Sequence, residues 1–183
     1  VDLAERIQAF IEADEEELAL AVIKNGLALT LVLYNPSYMD LPLRENNQGR
    51  DAVVAFLHLN TSGKLWRVAN SAAEHGYGPL IYDAALSLGR YVAPDEDITP
   101  AAKAVWKFYA TQRAAELETV PNATKHKASW LRSGMRLRQK APMEALKQRH
   151  ENFVSRNRRS RHDIERIILA AGSAFFRANY GEV

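Results

Sequence analysis

Apolar and polar positions along the chain follow two different periods, and they predict a mixed order of helices and strands. Apolar residues recur at helical spacing over residues 3–24, which predicts a first helix that ends at Gly26. Short apolar runs at residues 27–34 and 52–59 predict two strands, and residues 64–71 predict a third. Because a short polar turn separates the second and third strands, we expect these two to form a hairpin.

Further helical and strand patterns follow in the middle of the chain. The apolar run at residues 80–88 predicts a helix, and residues 90–93 predict one more short strand. Another helix is predicted at residues 99–112, where Thr99 suits the N-cap and Pro100 suits the first turn. This order of elements is typical of an α/β or α+β domain.

The last third of the chain has a different pattern. Residues 130–138 and 143–155 have helical spacing with mostly polar and basic side chains, and residues 163–176 predict a more regular amphipathic helix. We therefore expect two parts, a domain at residues 1–120 and a basic helical extension at residues 121–183.

Composition and charge sharpen this division. The chain has 183 residues, 47% of them apolar, which is long enough for one domain with a sizeable core. Its formal net charge of +2 conceals a large asymmetry. Residues 1–121 hold 10 Lys and Arg against 17 Asp and Glu (−7), whereas residues 122–161 hold 12 against 2 (+10). The sequence therefore predicts an acidic body with a basic arm.

The basic arm has two interpretations that the sequence leaves open. Its arginines could bind the phosphates of a nucleic acid. They could equally form a solvated or partner-facing surface, for example against a neighbouring subunit of a homo-oligomer. The arginines concerned are Arg132, Arg136, Arg138, Arg156, Arg158, Arg159 and Arg161.

Several classes of function find no support in the sequence. The absence of cysteine excludes disulfides, thiolate nucleophiles and zinc sites that use cysteine, and the histidines are too scattered to predict a metal site. No apolar run reaches 18 residues, and the first residues carry acidic rather than basic side chains. We therefore expect neither a membrane span nor a secretory signal, and a cytoplasmic location.

The segment with the most chemical information joins the third predicted strand to the helix that follows it. Its loop contains Gly76, Tyr77 and Gly78, and Pro79 opens the helix. Glycines let a backbone approach a ligand closely, and the first N–H groups of a helix favour an anion such as a phosphate. The same glycines would also serve a simple strand-to-helix turn.

This segment resembles the acetyl-CoA loop of the GNAT acyltransferase superfamily, and the resemblance covers roughly residues 27–112. It implies a mixed central sheet flanked by helices, with acetyl-CoA as cofactor and an amine as acyl acceptor. The pyrophosphate would lie at Gly76, Tyr77, Gly78 and Pro79, and the pantetheine arm along Val68, Ala69 and Asn70. Tyr109, near the end of a later predicted helix, matches the tyrosine that protonates the departing thiolate.

The general base stays open among three residues in or beside the predicted strands, which are Glu74, His75 and His58. The segment also departs from the family pattern. Ala73 replaces a glutamine or arginine, Pro79 has no N–H, and Glu74 places a negative charge beside the loop.

These departures favour an alternative from another class. The chain is also similar to GNAT-like proteins of bacteriophages. It could therefore be an inactive structural or assembly protein of a virion, whose basic arm contacts nucleic acid or a neighbouring subunit.

Overall fold

Seven strands form one mixed sheet in the computed structural model, which describes residues 9, 17–39, 49–139 and 143–180. In chain order they are β1 (Ala19–Asn25), β2 (Ala28–Tyr34), β3 (Val53–Asn60), β4 (Trp66–Ala73), β5 (Val92–Pro94), β6 (Leu117–Val120) and β7 (Gly134–Leu137). Their order across the sheet is β1-β2-β3-β4-β5-β7-β6. Neighbouring strands are antiparallel except β4 and β5, which are parallel.

Helices cover both faces of the sheet. Those of the described residues are α1 (Pro36–Met39), α2 (Gly78–Leu86), α3 (Pro100–Gln112), α4 (Glu144–Arg156) and α5 (Arg161–Ala178). On one face α2 and α3 bury Leu86 and Trp106, and on the other face α5 buries Ile168 and Phe175. The mixed α/β architecture expected from the sequence is confirmed. None of the described helices is long and apolar enough to cross a membrane.

The central strands are apolar at nearly every position because both of their faces are covered. In β2, Leu31 and Leu33 belong to the core under α2 and α3, whereas Val32 and Tyr34 belong to the core under α5. Successive side chains of a strand point to opposite faces, so a strand between two helical layers needs apolar residues on both.

Most of the predicted elements are confirmed. The hairpin of β3 and β4 forms, and α2, α4 and α5 lie within a few residues of their predicted positions. The start of α3 agrees in detail, because the Thr99 hydroxyl oxygen accepts a hydrogen bond from the backbone N–H of Ala102 at 3.2 Å.

Two helix predictions are wrong. Residues 19–24 belong to β1, which forms a tight hairpin with β2 around Gly26. Of the earlier part of that predicted helix, residues 1–8 and 10–16 lie outside the described residues. Residues 130–138 contain β7 rather than a helix, since Met135 and Leu137 alternate into the core at strand period.

The basic part of the chain takes part in the sheet. Strand β7 pairs with β5 and β6, so strands on both sides of the boundary predicted after residue 120 belong to the same sheet. Helix α4 packs beside β1, where Leu146 is fully buried, and α5 packs on β3.

Candidate functional site

The parallel strands β4 and β5 pair over only three residues each. The last pair joins Val68 to Pro94, where β5 ends, whereas β4 continues to Ala73. Among the described residues, no strand pairs with residues 69–73 on the side where β5 lies. Backbone N–H and C=O groups require hydrogen-bond partners, so this half of β4 presents a polar backbone edge to whatever occupies the space beside it.

A β-bulge lies where the two strands part. His58 of β3 pairs with Asn70 and Leu59 pairs with Val68, so Ala69 is an extra residue on β4. A bulge bends its strand and increases the local twist. The bulge at Ala69 thus changes the direction of β4 at the residue after its last pairing with β5.

A pocket of about 250 Å³ occupies this position, and we call it the gap pocket. Tyr82 and Trp106 reach it from the helices on one face of the sheet, whereas Phe176 and Tyr180 reach it from the end of α5 on the other. The remaining lining residues are Val68, Ala69, Asn70, Ser71, Asp95, Asp97, Ile98, Thr99 and Ala102. The gap pocket therefore draws its walls from both sides of the sheet.

The polar groups of the gap pocket have distinct chemistry. The hydroxyls of Ser71 and Tyr82 are hydrogen-bonded at 2.9 Å. Burial raises the pKa of Tyr82 to about 12, and the hydrogen bond with Ser71 opposes that shift only in part. The phenol is therefore protonated at neutral pH. Asp95 and Asp97 add negative charge to the lining of the pocket, which favours neutral or cationic groups there over phosphates.

The structure brings some of the predicted cofactor residues together and separates others from them. Val68, Ala69 and Asn70 all line the gap pocket. The four residues of the glycine loop do not line it: Gly76 and Tyr77 lie in the turn after β4, and Gly78 and Pro79 lie in the first turn of α2. Gly76 has a φ of 92°, a backbone conformation that favours glycine, so the turn itself explains this residue.

Two of the residues predicted as bases lie at the surface. Glu74 and His75 are both exposed and are not among the residues that line the gap pocket. The backbone N–H of Glu74 donates to the carbonyl of Val54 at 2.8 Å, and its carbonyl accepts from Tyr77 at 3.0 Å. Both residues thus form the turn between β4 and α2.

Tyr109, the predicted acid, is fully buried between α2 and α3 and does not line the gap pocket. Its hydroxyl donates to the carboxylate of Asp83 and lies 3.1 Å from the carbonyl oxygen of Pro79. The Asp83 carboxylate also forms a buried ion pair with Arg113. Burial, and then the negative charge of Asp83, raise the pKa of Tyr109 well above its usual value. We call Asp83, Tyr109 and Arg113 the buried ion-pair cluster, and it ties α3 to the first turn of α2.

The predicted basic arm divides into paired and clustered arginines. Arg136 pairs with Glu118 at 2.7 Å, and Arg161 pairs with Glu151. Arg132 donates to a backbone carbonyl, and Arg138 is exposed. Arg156, Arg158 and Arg159 line, with Asn157, an open surface depression of about 690 Å³ at the turn that joins α4 to α5, which we call the basic cleft.

Sequence reasoning missed most of the gap pocket. Ser71, Tyr82, Asp95 and Phe176 come from separate elements, and no spacing in the sequence connects them. The detectable signal was the stretch at residues 68–70, through its resemblance to a cofactor-binding strand. Comparisons of the chain with family models, with curated proteins and with solved structures find no match.

Proposed function

We propose that the protein is a GNAT-like N-acyltransferase that transfers an acetyl group from acetyl-CoA to an amine. One observation carries this proposal: among the described residues no strand lies beside the second half of β4 on the β5 side, and this half borders a pocket lined from both faces of the sheet. A pantetheine arm carries amide groups that can pair with a free strand edge as another strand would. The glycine loop that follows β4 supports the same function.

The charges determine which part of the cofactor enters the gap pocket. Asp95 and Asp97 would repel the phosphates, so these would lie outside the pocket, toward the first turn of α2 at Gly78. Helix α2 has no acidic residue in that first turn, and its leading N–H groups favour an anion. The uncharged pantetheine and the acetyl group would occupy the gap pocket itself.

The reaction would proceed directly between the two bound substrates. A backbone N–H of residues 68–70 would stabilise negative charge on the thioester oxygen as the amine attacks. Tyr82 lines the gap pocket and Tyr109 does not. The phenol of Tyr82 is protonated at neutral pH, and it would be the proton donor to the departing thiolate. The negative wall of Asp95 and Asp97 would favour a cationic amine as acceptor.

Isothermal titration with acetyl-CoA tests this proposal. We expect saturable binding by the wild-type protein, and loss of binding in Asn70→Trp, because a bulky side chain at this pocket-lining residue would fill the space. Ser62→Trp is the matched control, since Ser62 is exposed in the β3–β4 turn and does not line the pocket. Absence of binding to the folded wild-type protein at millimolar acetyl-CoA would refute the proposal.

The basic cleft favours a second candidate, an assembly protein that binds nucleic acid. Arg156, Arg158 and Arg159 gather there within four consecutive residues, an arrangement that suits phosphate groups. Under this candidate the affinity for a DNA duplex falls with salt, and Arg158→Glu with Arg159→Glu lowers the slope of that dependence by about 2. Lys64→Glu with Lys103→Glu is the control, because these exposed lysines lie outside the cleft. Salt-independent binding, or equal effects of both pairs, would exclude the cleft as a phosphate site.

A further inference from the structure

Two polar residues lie within the apolar central strands, beside the gap pocket. Thr30 of β2 is buried, and His58 of β3 is half-buried in a run of apolar residues. The hydroxyl oxygen of Thr30 and Nδ1 of His58 are hydrogen-bonded at 2.8 Å. An apolar pair of the same shape would suit a covered sheet as well or better, so the core does not require these polar groups.

The sheet register places His58 beside a residue that lines the gap pocket, although His58 is not itself among the lining residues. His58 lies directly opposite Asn70, and opposite residues of an antiparallel pair share a face with Cβ atoms about 5 Å apart. Asn70 lines the pocket. On the same strand, Phe56 stacks on the imidazole with ring centroids 6.5 Å apart, and its other neighbour is Phe176 at 5.5 Å, which also lines the pocket.

These contacts hold the imidazole in one orientation. The hydrogen bond to Thr30 fixes Nδ1, and among the described residues none is hydrogen-bonded to Nε2. Burial alone lowers the pKa of His58 from its usual 6.5, so the ring is neutral at pH 7. In the tautomer in which Nδ1–H donates to the Thr30 hydroxyl oxygen, Nε2 carries a lone pair that can accept a proton, and it is this tautomer that the proposal requires.

We propose that His58 is the general base of the transfer, acting on the acceptor amine through a water molecule beside Asn70. This inference rests on the proposed acyltransferase function. It places the base on the α5 face of the sheet, whereas Glu74 and His75 lie in the surface turn after β4.

An acceptor that arrives as an ammonium ion loses one proton before it attacks and a second as the amide forms. The amine nitrogen bonds to the thioester carbonyl carbon, and the bond from that carbon to sulfur breaks. The departing thiolate takes up one proton, and His58 passes the other to solvent.

Release of the CoA thiol can be followed without interference, because the chain contains no cysteine to react with a thiol reagent. With acetyl-CoA and spermidine as probes, we expect His58→Ala to bind acetyl-CoA as the wild type does but to release CoA at least about 10²-fold more slowly. Added imidazole should restore part of this rate. His162→Gln is the matched control, since His162 is exposed in the first turn of α5.

The imidazole resonances of His58, assigned by their absence in His58→Ala, give a second readout. They should shift when acetyl-CoA is added, and those of His162 should not. The proposal is overturned if bound acetyl-CoA leaves the His58 resonances unchanged, or if His58→Ala turns over at the wild-type rate. It is also overturned if imidazole does not restore part of the rate that His58→Ala has lost. The same holds if the wild type binds acetyl-CoA but releases no CoA with either spermidine or water as acceptor. Absence of acetyl-CoA binding to the wild type would refute the acyltransferase function instead.

Discussion

The hydroxyls of Ser71 and Tyr82 lie 2.9 Å apart and join β4 to α2 at the wall of the gap pocket. Tyr82 is fully buried, and its ring packs edge-on against Trp106, another lining residue. These contacts hold the hydroxyl of Tyr82 at the wall of the gap pocket, on the helix that follows the glycine loop. The wall of the pocket and the proposed phosphate site are therefore built on the same helix.

The phenol of Tyr82 should ionise at about pH 12. Because its pKa is raised from 10, its contribution to stability is complete below pH 10 and is lost as the pH rises through about 12. Tyr82→Phe should remove the loss of stability at high pH that ionisation of this phenol causes. Near neutral pH the same variant should have a free energy of unfolding about 1 kcal/mol lower, because the hydrogen bond is lost. Urea unfolding against pH and the phenolate absorbance difference between the two proteins measure this. A difference spectrum that titrates near pH 10 would contradict it.

The elements predicted correctly are those with a complete local signal. The cap at Thr99 and the polar turn before β4 each determine an element within a few residues, independently of the rest of the fold. Strand β7 has no such signal, because its two core residues, Met135 and Leu137, lie in a short basic stretch. Its strand conformation depends on pairing with β6 and β5, which lie far away in the sequence.

The candidate site could be predicted only along β4, because the rest of it depends on contacts between elements that are distant in the sequence. The stretch at residues 68–70 resembles a cofactor-binding strand, but the bulge at Ala69 exists only in the pairing of β4 with β3. Tyr82 lines the pocket and Tyr109 does not, and the packing of α2 against α3 decides this difference. Both tyrosines follow a plausible helical pattern, and only the tertiary structure separates them.

The buried ion-pair cluster should be strongly coupled. Asp83 and Arg113 are each almost fully buried, so removal of either one takes away the nearest counter-charge of the other, and after removal of Asp83 only the pair of Arg113 with Glu116 at 2.9 Å is left to the guanidinium. We expect Asp83→Asn or Arg113→Met to lower the free energy of unfolding by about 3–5 kcal/mol. The double variant should lose clearly less than the sum of the two.

Urea unfolding of the four proteins in this cycle measures the coupling. As a comparison, the exposed pair of Lys147 and Glu144 on α4 should contribute at most about 0.5 kcal/mol. Additive effects of Asp83→Asn and Arg113→Met would show that the two buried charges do not depend on each other.

Gly172 allows α5 to approach the sheet closely. A Cβ atom at this position would lie 3.0 Å from a ring carbon of Phe56 and 3.1 Å from a methyl carbon of Val32. Gly172→Leu should therefore push α5 away from β2 and β3 and cost about 1–3 kcal/mol of stability. Since Phe176 lies near the end of α5 and Tyr180 follows the helix, the same variant should also weaken acetyl-CoA binding.

Ala170→Leu is the control for this substitution, because Ala170 is exposed on the same helix. It should leave the unfolding midpoint and the acetyl-CoA affinity close to those of the wild type. If both leucine variants change the unfolding midpoint and the acetyl-CoA affinity equally, the close approach of α5 to the sheet is not the reason why residue 172 must be small.

Burial of His150 should make the free energy of unfolding decrease as the pH is lowered. It is buried on α4 with Nδ1 2.7 Å from the hydroxyl of Tyr34, and burial is the main cause of its lowered pKa, with Glu151 opposing and Arg161 adding to that shift. The unfolded chain takes up this proton near pH 6.5, whereas the folded protein does so only at lower pH. The stabilisation from neutral His150 is therefore complete above pH 6.5 and is lost as the pH falls through the folded-state pKa. His150→Gln should flatten the fall in unfolding free energy over this range. An unchanged slope in this variant would contradict the prediction.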